Sequence, residues 1–173
     1  MRKASLLTMA ATLAMSPFAL AASVTVTMNQ IDEKGVGKAL GTIKFHDGKE
    51  GLVIATHLTG LPPGEHGLHV HEGGDCGPKE KDGKMTAGIA AGGHLDPAKT
   101  GKHEGPKGQG HLGDLPPLVV DKNGVANEKL SAPRLKVGDL AGHAVVIHES
   151  GDNFSDQPKP LGGGGRIACG AVK

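Results

Sequence analysis

Between Gly92 and Asp114 the chain reads GGHLDPAKTGKHEGPKGQGHLGD, placing His94, His103, His111 and Asp114 among Gly, Pro and Lys residues that preclude a regular helix or strand. Three imidazoles and a carboxylate make four ligands, the number a closed tetrahedral zinc site requires, and borderline-soft zinc accepts nitrogen and oxygen together. A polar loop that is simply His-rich is the competing reading of the same residues. A second constellation is His69 and His71 in GLHVHEGGDC, two residues apart, so that on a strand both imidazoles project from one face. His148 in AVVIHE is another strand-borne histidine next to a loop. Three strand histidines are one short of a four-nitrogen site. One loop histidine used twice, Nδ1 to one ion and Nε2 to the other, completes both sets and makes its ring an imidazolate. Four imidazole nitrogens in a roughly planar array suit Cu(II), the redox-active member of such a pair.

The elements that must position these groups read as short strands with turn punctuation. Candidates are 23–30, 39–46, 51–58, 66–71, 117–121, 125–130, 143–148 and 166–172, and no long segment has a 3.6-residue period. HDGKEG and LPPGE mark turns around the third candidate, and DKNGV at 121–125 predicts a hairpin turn. Eight such segments predict an all-β, antiparallel sandwich or barrel. With three Phe and no Trp or Tyr, its core must come from Val, Ile, Leu and Ala. Residues 72–116 carry no predicted strand or helix, and a loop of that length in a compact domain needs a function or a restraint. Each ordered residue costs about 1–2 kcal/mol of backbone entropy, which no core repays there. Cys76 at its start and a metal in its far half are two candidate restraints. A second loop, 149–165, contains GDNFSDQPKPLGGGG.

Residues 1–21 have a basic start (Arg2, Lys3), an apolar run and a small-residue end at Ala19–Leu20–Ala21, the pattern of a secretory signal cut after about Ala21. A membrane anchor competes, but Thr8, Thr12, Ser16 and Pro17 interrupt the run and it is too short to span. Residues 22–173 are then one exported domain. In an oxidising compartment Cys76 and Cys169 either pair or stay as two free thiols; a bridge closes a loop of roughly 93 residues and contributes about 4–5 kcal/mol. Of 19 Lys and Arg, two leave with the signal, so 17 face 18 acidic residues, a net charge near −1. No basic field or stacking aromatic points to nucleic acid. Met28 and Met85 are the only methionines after the signal, too few for a thioether Cu(I) site.

GLHVHEGGDC, AGGHLDP, TGKHEGP, GHLGDLP, VVIHESGD and GGGGRIACG together resemble the ordered motifs of copper,zinc superoxide dismutases, particularly the bacterial periplasmic branch, over nearly the whole exported part. The resemblance implies an eight-stranded antiparallel Greek-key sandwich or barrel with two long functional loops. It implies copper on His69, His71, His94 and His148, zinc on His94, His103, His111 and Asp114, and one ion of each per subunit, with His94 the shared imidazolate. Arg166 matches the arginine that attracts and orients superoxide, and Cys76 with Cys169 matches the disulfide tying the long loop to the last strand. Asp152 sits at the offset of the carboxylate that links a copper histidine to a zinc histidine, with Asp156 the alternative. His66 matches a structural histidine, and His46, His57 and His143 match no ligand motif.

The implied reaction is dismutation of superoxide to oxygen and hydrogen peroxide by redox-cycling copper, with His94 as bridge and proton carrier. The implied setting is the periplasm, as monomer or homodimer, without membrane anchor or nucleic acid. Loop 149–165 has one lysine, Lys159, where eukaryotic members carry more steering charge, and Lys79, Lys81 and Lys84 are candidates to replace it. The alternative is a non-enzymatic periplasmic copper- and zinc-binding protein, which has no use for Arg166.

Overall fold

The computed structural model describes residues 22–157 and 161–173; the signal segment and Lys159 lie outside them. Ser23–Asp32 (β1), Gly35–Gly48 (β2) and Gly51–Thr59 (β3) form a meander in which alternate side chains turn inward. In β3 that places Leu52, Ile54, Thr56 and Leu58 inside and His57 outside. Leu68–His71 (β5), Val125–Ala126 (β9), Lys129–Ala132 (β10), Ala144–His148 (β11) and Arg166–Ala171 (β12) complete an eight-stranded antiparallel sheet. Its order is β10–β3–β2–β1–β12–β11–β5, with β9 also on β3. Gly64–His66 (β4) pairs separately with Leu118–Val120 (β8). Phe45 is the one aromatic among the largest fully buried side chains, beside Ile43, Leu52, Ile54, Leu58 and Ile147. Leu115 and Leu118 join them, so the end of the long loop is pinned into the core. No helix among the described residues is long and apolar enough to cross a membrane.

The structure departs from the predicted elements at four points. Segment 66–71 divides at Gly67, because β4 leaves to pair with β8 while β5 pairs with β11. Segment 125–130 divides into β9 and β10, where the buried Thr56 hydroxyl accepts the Glu128 N–H at 2.9 Å and donates to the Ala126 carbonyl at 3.2 Å. The DKNGV turn forms, with the Gly124 N–H on the Asp121 carbonyl at 3.0 Å, but its flanking strands go to different partners, β4 and β3. Residues 72–116 are also not bare loop. They hold a hairpin of Lys79–Lys81 (β6) with Lys84–Thr86 (β7) and a turn at Ile89–Ala91. These three-residue strands are almost wholly exposed, so no burial alternation marks them.

β5 ends the sheet, and the long loop covers its outer edge. The Val70 N–H donates to the Gly113 carbonyl at 2.9 Å, Leu95 to Val70 at 2.8 Å and Glu72 to Gly93 at 3.0 Å. In this register His69 stands opposite Asp114 and His71 opposite His94. Cys76 and Cys169 are joined, with Cα atoms 5.7 Å apart, inside a small second core with Ile31, Ala91, Ala144 and Val146.

Candidate metal centre

Backbone register delivers the side chains. In the β5–β11 ladder His69 faces Val146 and His71 faces Ala144, and His148 follows two positions beyond Val146, so period two puts all three imidazoles on one face. The edge pairing brings His94 and Asp114 beside them. His69, His71, His94 and His148 each offer a donor atom within 4.8 Å of one another, and so do His69, His94, His103 and Asp114. His69 enters the second group because its ring stacks on His94 with centroids 4.0 Å apart. His111 stands at the rim of that group, its Nδ1 3.5 Å from Asp114 Oδ1. His46, His57 and His143 belong to neither group; His57 Nδ1 pairs with Asn127 and the His143 ring with the Glu72 carbonyl.

The rings of His69, His71, His103 and His148 each have one nitrogen committed to an acceptor. The His71 Nδ1–H donates to the Gly92 carbonyl at 3.1 Å and the His148 Nδ1–H to the Gly164 carbonyl at 2.9 Å. Their Nε2 atoms then face each other at 3.4 Å as two lone pairs with no proton between them. Asp152 is the buried tie, accepting from His69 Nε2 and from His103 Nε2 at 2.6 Å each. That leaves the Nδ1 atoms of His69 and His103, and that of His111, buried without a hydrogen-bond partner. A stranded buried polar atom costs about 1–3 kcal/mol, so three in one cluster, with lone pairs converging, fit bound cations. Around Asp114 Oδ1 the Nδ1 atoms of His94, His103 and His111 lie at 3.1, 3.0 and 3.5 Å. A tetrahedral zinc with arms of about 2.0–2.1 Å has edges of about 3.3 Å, which those distances bracket.

The charges agree. Burial pushes the His148 imidazolium down to about 2 and His69 to about 4, and burial with the nearby Arg166 holds His71 well below the ordinary histidine range. Burial also lowers His94, against the pull of Asp114. Strand imidazoles are thus neutral donors, the form a cation binds. On the other side burial favours protonated Asp114 and Asp152, but the close His103 and His94 rings around Asp114, and the hydrogen bonds from His103 and His69 to Asp152, outweigh it and hold both carboxyls far below the usual range. His103 lies between them; burial lowers it, yet the two carboxylates lift it to about 9. Two buried carboxylates sit where positive charge is needed.

The family model for copper/zinc superoxide dismutase matches residues 39–172. The chain belongs to that family. It is 57% identical over 157 residues to copper-zinc superoxide dismutase 2 of Salmonella typhimurium, covering 90% of this chain and 91% of that one. It is 54% identical to the copper-zinc superoxide dismutase of Escherichia coli over the same shares. Among solved structures, the solution structure of the monomeric copper,zinc superoxide dismutase from Salmonella enterica matches with a TM-score of 0.80 at 56% identity, covering 88% of this chain and all of that one (100%). The copper/zinc superoxide dismutase from Brucella abortus matches with a TM-score of 0.86 at 44% identity, over the same shares. The barrel is the family's Greek-key fold. As a copper/zinc superoxide dismutase the chain uses copper and zinc to convert superoxide to oxygen and hydrogen peroxide, and the non-enzymatic carrier reading is not favoured.

In this dismutase a pocket of about 640 Å³ opens over His94 and His148, with Lys81, Glu149 and Arg166 on its wall. Arg166, opposite His148 in the β11–β12 ladder, donates to the Gly88 carbonyl and, at 2.6 Å, to the Gly92 carbonyl. Gly88 has φ +65°, and a Cβ there would stand 2.7 Å from Ile31 Cδ1 and 3.2 Å from Arg166 Cδ, so glycine is required where the loop meets the arginine. Gly162, with φ +61°, closes over the His94 ring, since its Cβ would stand 2.8 Å from His94 Cε1. Sequence reasoning missed Gly162, one of four identical neighbours, and Arg134, whose guanidinium holds the carbonyls of Gly110 and His111 at 2.8 and 3.2 Å. Arg134 lies outside every histidine motif, and only the folded loop reveals it. His66 spans Pro62 and the site, its ring nitrogens 2.8 Å from the Pro62 carbonyl and 2.7 Å from that of His148.

Proposed function

We propose that copper is held by His69, His71, His94 and His148 and zinc by His94, His103, His111 and Asp114, one ion of each per chain, with the His94 ring shared. The observation that carries this is His94 itself: its Nδ1 lies 3.1 Å from Asp114 Oδ1, while the ring also lines the pocket that holds His148. When bound, copper supplies a one-electron redox couple and zinc a fixed positive charge that keeps the shared ring in place. Two superoxide anions and two protons yield one oxygen and one hydrogen peroxide, so the pocket needs an anion anchor and a proton donor. Arg166 is the anchor, its guanidinium fixed by two carbonyls and its charge permanent. His94, which lines the open pocket, would carry a proton on Nε2 to departing peroxide only while that nitrogen is not bound to copper, and would take the proton from the pocket. Asp152 fixes His69 and His103 in the tautomers that leave their Nδ1 atoms free.

The test is metal analysis joined to a superoxide-consumption assay: purified protein carries near-equal copper and zinc, and consumption vanishes on copper removal and returns on its readdition. Retention of activity without copper would remove the assignment. Arg166→Ile lowers turnover by on the order of 10–100-fold with both metals retained, and metal loss would contradict a substrate-facing role. Among the hairpin lysines Lys81 reaches the pocket wall. Replacing Lys79, Lys81 and Lys84 with Gln is therefore expected to lower the second-order rate at low salt and flatten its ionic-strength dependence; an unchanged slope counts against steering by this hairpin.

Export to the periplasm, with cleavage after about Ala21, is supported by the Arg2–Lys3 start, the apolar run behind it and the Cys76–Cys169 bridge. Single-chain operation is supported by the monomeric Salmonella relative. Gel filtration of the same metal-loaded preparation reads the oligomeric state directly.

A further inference from the structure

His94 lines two openings, and they differ in charge. The pocket over His148 carries Lys81 and Arg166 against Glu149, two cations to one carboxylate. The second opening, about 300 Å³, is lined by Glu72, Gly93, His94, Asp96, His103 and His111, two carboxylates with no lysine or arginine. Its floor contains the stranded nitrogens: His103, 1% exposed, and His111 present Nδ1 atoms without hydrogen-bond partners. Its rim is fixed. Glu72 Oε2 accepts the Gly93 N–H at 3.2 Å, and Asp96 Oδ2 accepts the Gly101 N–H at 2.8 Å and the Thr100 hydroxyl at 3.2 Å.

A hydrated divalent cation approaching the first pocket meets Lys81 and Arg166, which repel it and favour an anion. Approaching the second, it meets two carboxylates and then the unpartnered nitrogens of His103 and His111. We propose that the second opening is a separate port through which zinc reaches and leaves its donors without crossing the superoxide pocket, and that Glu72 and Asp96 capture the ion at its mouth. This rests on the zinc assignment made above.

Two variants of the full chain test it by different physics. Glu72→Gln with Asp96→Asn removes charge but keeps the acceptor oxygens that hold the rim. Uptake of zinc alone by the zinc-depleted chain, followed with a fluorescent zinc indicator, should slow about 10-fold at low ionic strength, and the difference should close at high salt. Gly93→Phe obstructs the opening. A Cβ there meets only the Glu72 carboxylate, at 3.5 and 3.8 Å, and φ lies outside the left-handed region, so the backbone need not move. In that variant zinc release from the metal-loaded enzyme to a chelator should slow about 10-fold at every salt concentration, with copper release unchanged, if escape runs past this rim. Zinc rates at wild-type values in both variants, or zinc and copper slowed together, would overturn the port. A wild-type enzyme that holds no zinc would overturn the zinc assignment as well, whereas zinc-replete variants exchanging at wild-type rates overturn the port alone.

Discussion

His148→Ala removes superoxide dismutation and leaves the barrel standing. The expected loss in kcat/KM is at least about three orders of magnitude, equivalent to about 4 kcal/mol of transition-state stabilisation, because the proposed four-nitrogen copper set becomes three and the lone pair facing His71 Nε2 disappears. The backbone of His148 stays in the sheet, its N–H on the Gly67 carbonyl at 2.9 Å, and truncation leaves no buried charge behind, since burial keeps this ring neutral. His103→Ala is the counterpart on the zinc side. Its ring lies between Asp152 and Asp114, both buried and ionised, at 2.6 and 3.0 Å. Removing one partner of such a group costs about 3–5 kcal/mol, and the segment from Gly92 to Asp114 loses a holdfast. Thermal melts, metal content and superoxide consumption measured on both variants should therefore separate. His148→Ala keeps zinc and most of its melting temperature, while His103→Ala loses both. Two variants indistinguishable by melting and metal content would end the division between a redox ion and a structural one.

Cys76→Ser with Cys169→Ser is the second large effect. The bridge closes a separation of 93 residues, for which chain entropy gives about 4–5 kcal/mol. In a domain of this size about 2–4 °C accompanies each kcal/mol, so the melting temperature should fall by about 10–15 °C. Activity falls too, even where the variant is folded. Cys76 anchors the loop that carries the Gly88 and Gly92 carbonyls, and these hold the Arg166 guanidinium. Slackening that loop lets the arginine swing, which shows as lower kcat/KM with copper and zinc retained. A melting temperature shifted by less than about 3 °C, or full activity in the folded double variant, would show that the sheet and the metals hold the loop unaided.

Much of this centre could be read before folding because its chemistry is concentrated in residue types that are rare elsewhere in the chain. His69 and His71 announce themselves by strand parity, and His94, His103, His111 and Asp114 by their crowding into a segment that lacks any other reason to be ordered. The resemblance pointed to Asp152, with Asp156 the alternative; Asp152 accepts from the His69 and His103 rings, and Asp156 from the His103 N–H at 2.9 Å. Less legible were groups acting through backbone atoms. Arg134 grips two carbonyls and Gly162 offers an absence of side chain, and neither contact leaves a mark in local sequence. Long strands with a buried face were found, as in β1 and β3. The hairpin of β6 and β7 was not, because exposed Lys and Glu on three-residue strands show no alternation.

The pairing of Leu68–His71 with the segment from Gly93 to Leu115 makes the metal-binding loop serve as the sheet's border strand. Undocked, that loop would uncover the outer N–H groups of Val70 and Glu72 and the C=O groups of Leu68 and Val70, an edge on which another copy of the chain could add a strand. Ions bound as proposed to His94 and Asp114 would therefore also keep this edge covered, and their loss would open it to self-association.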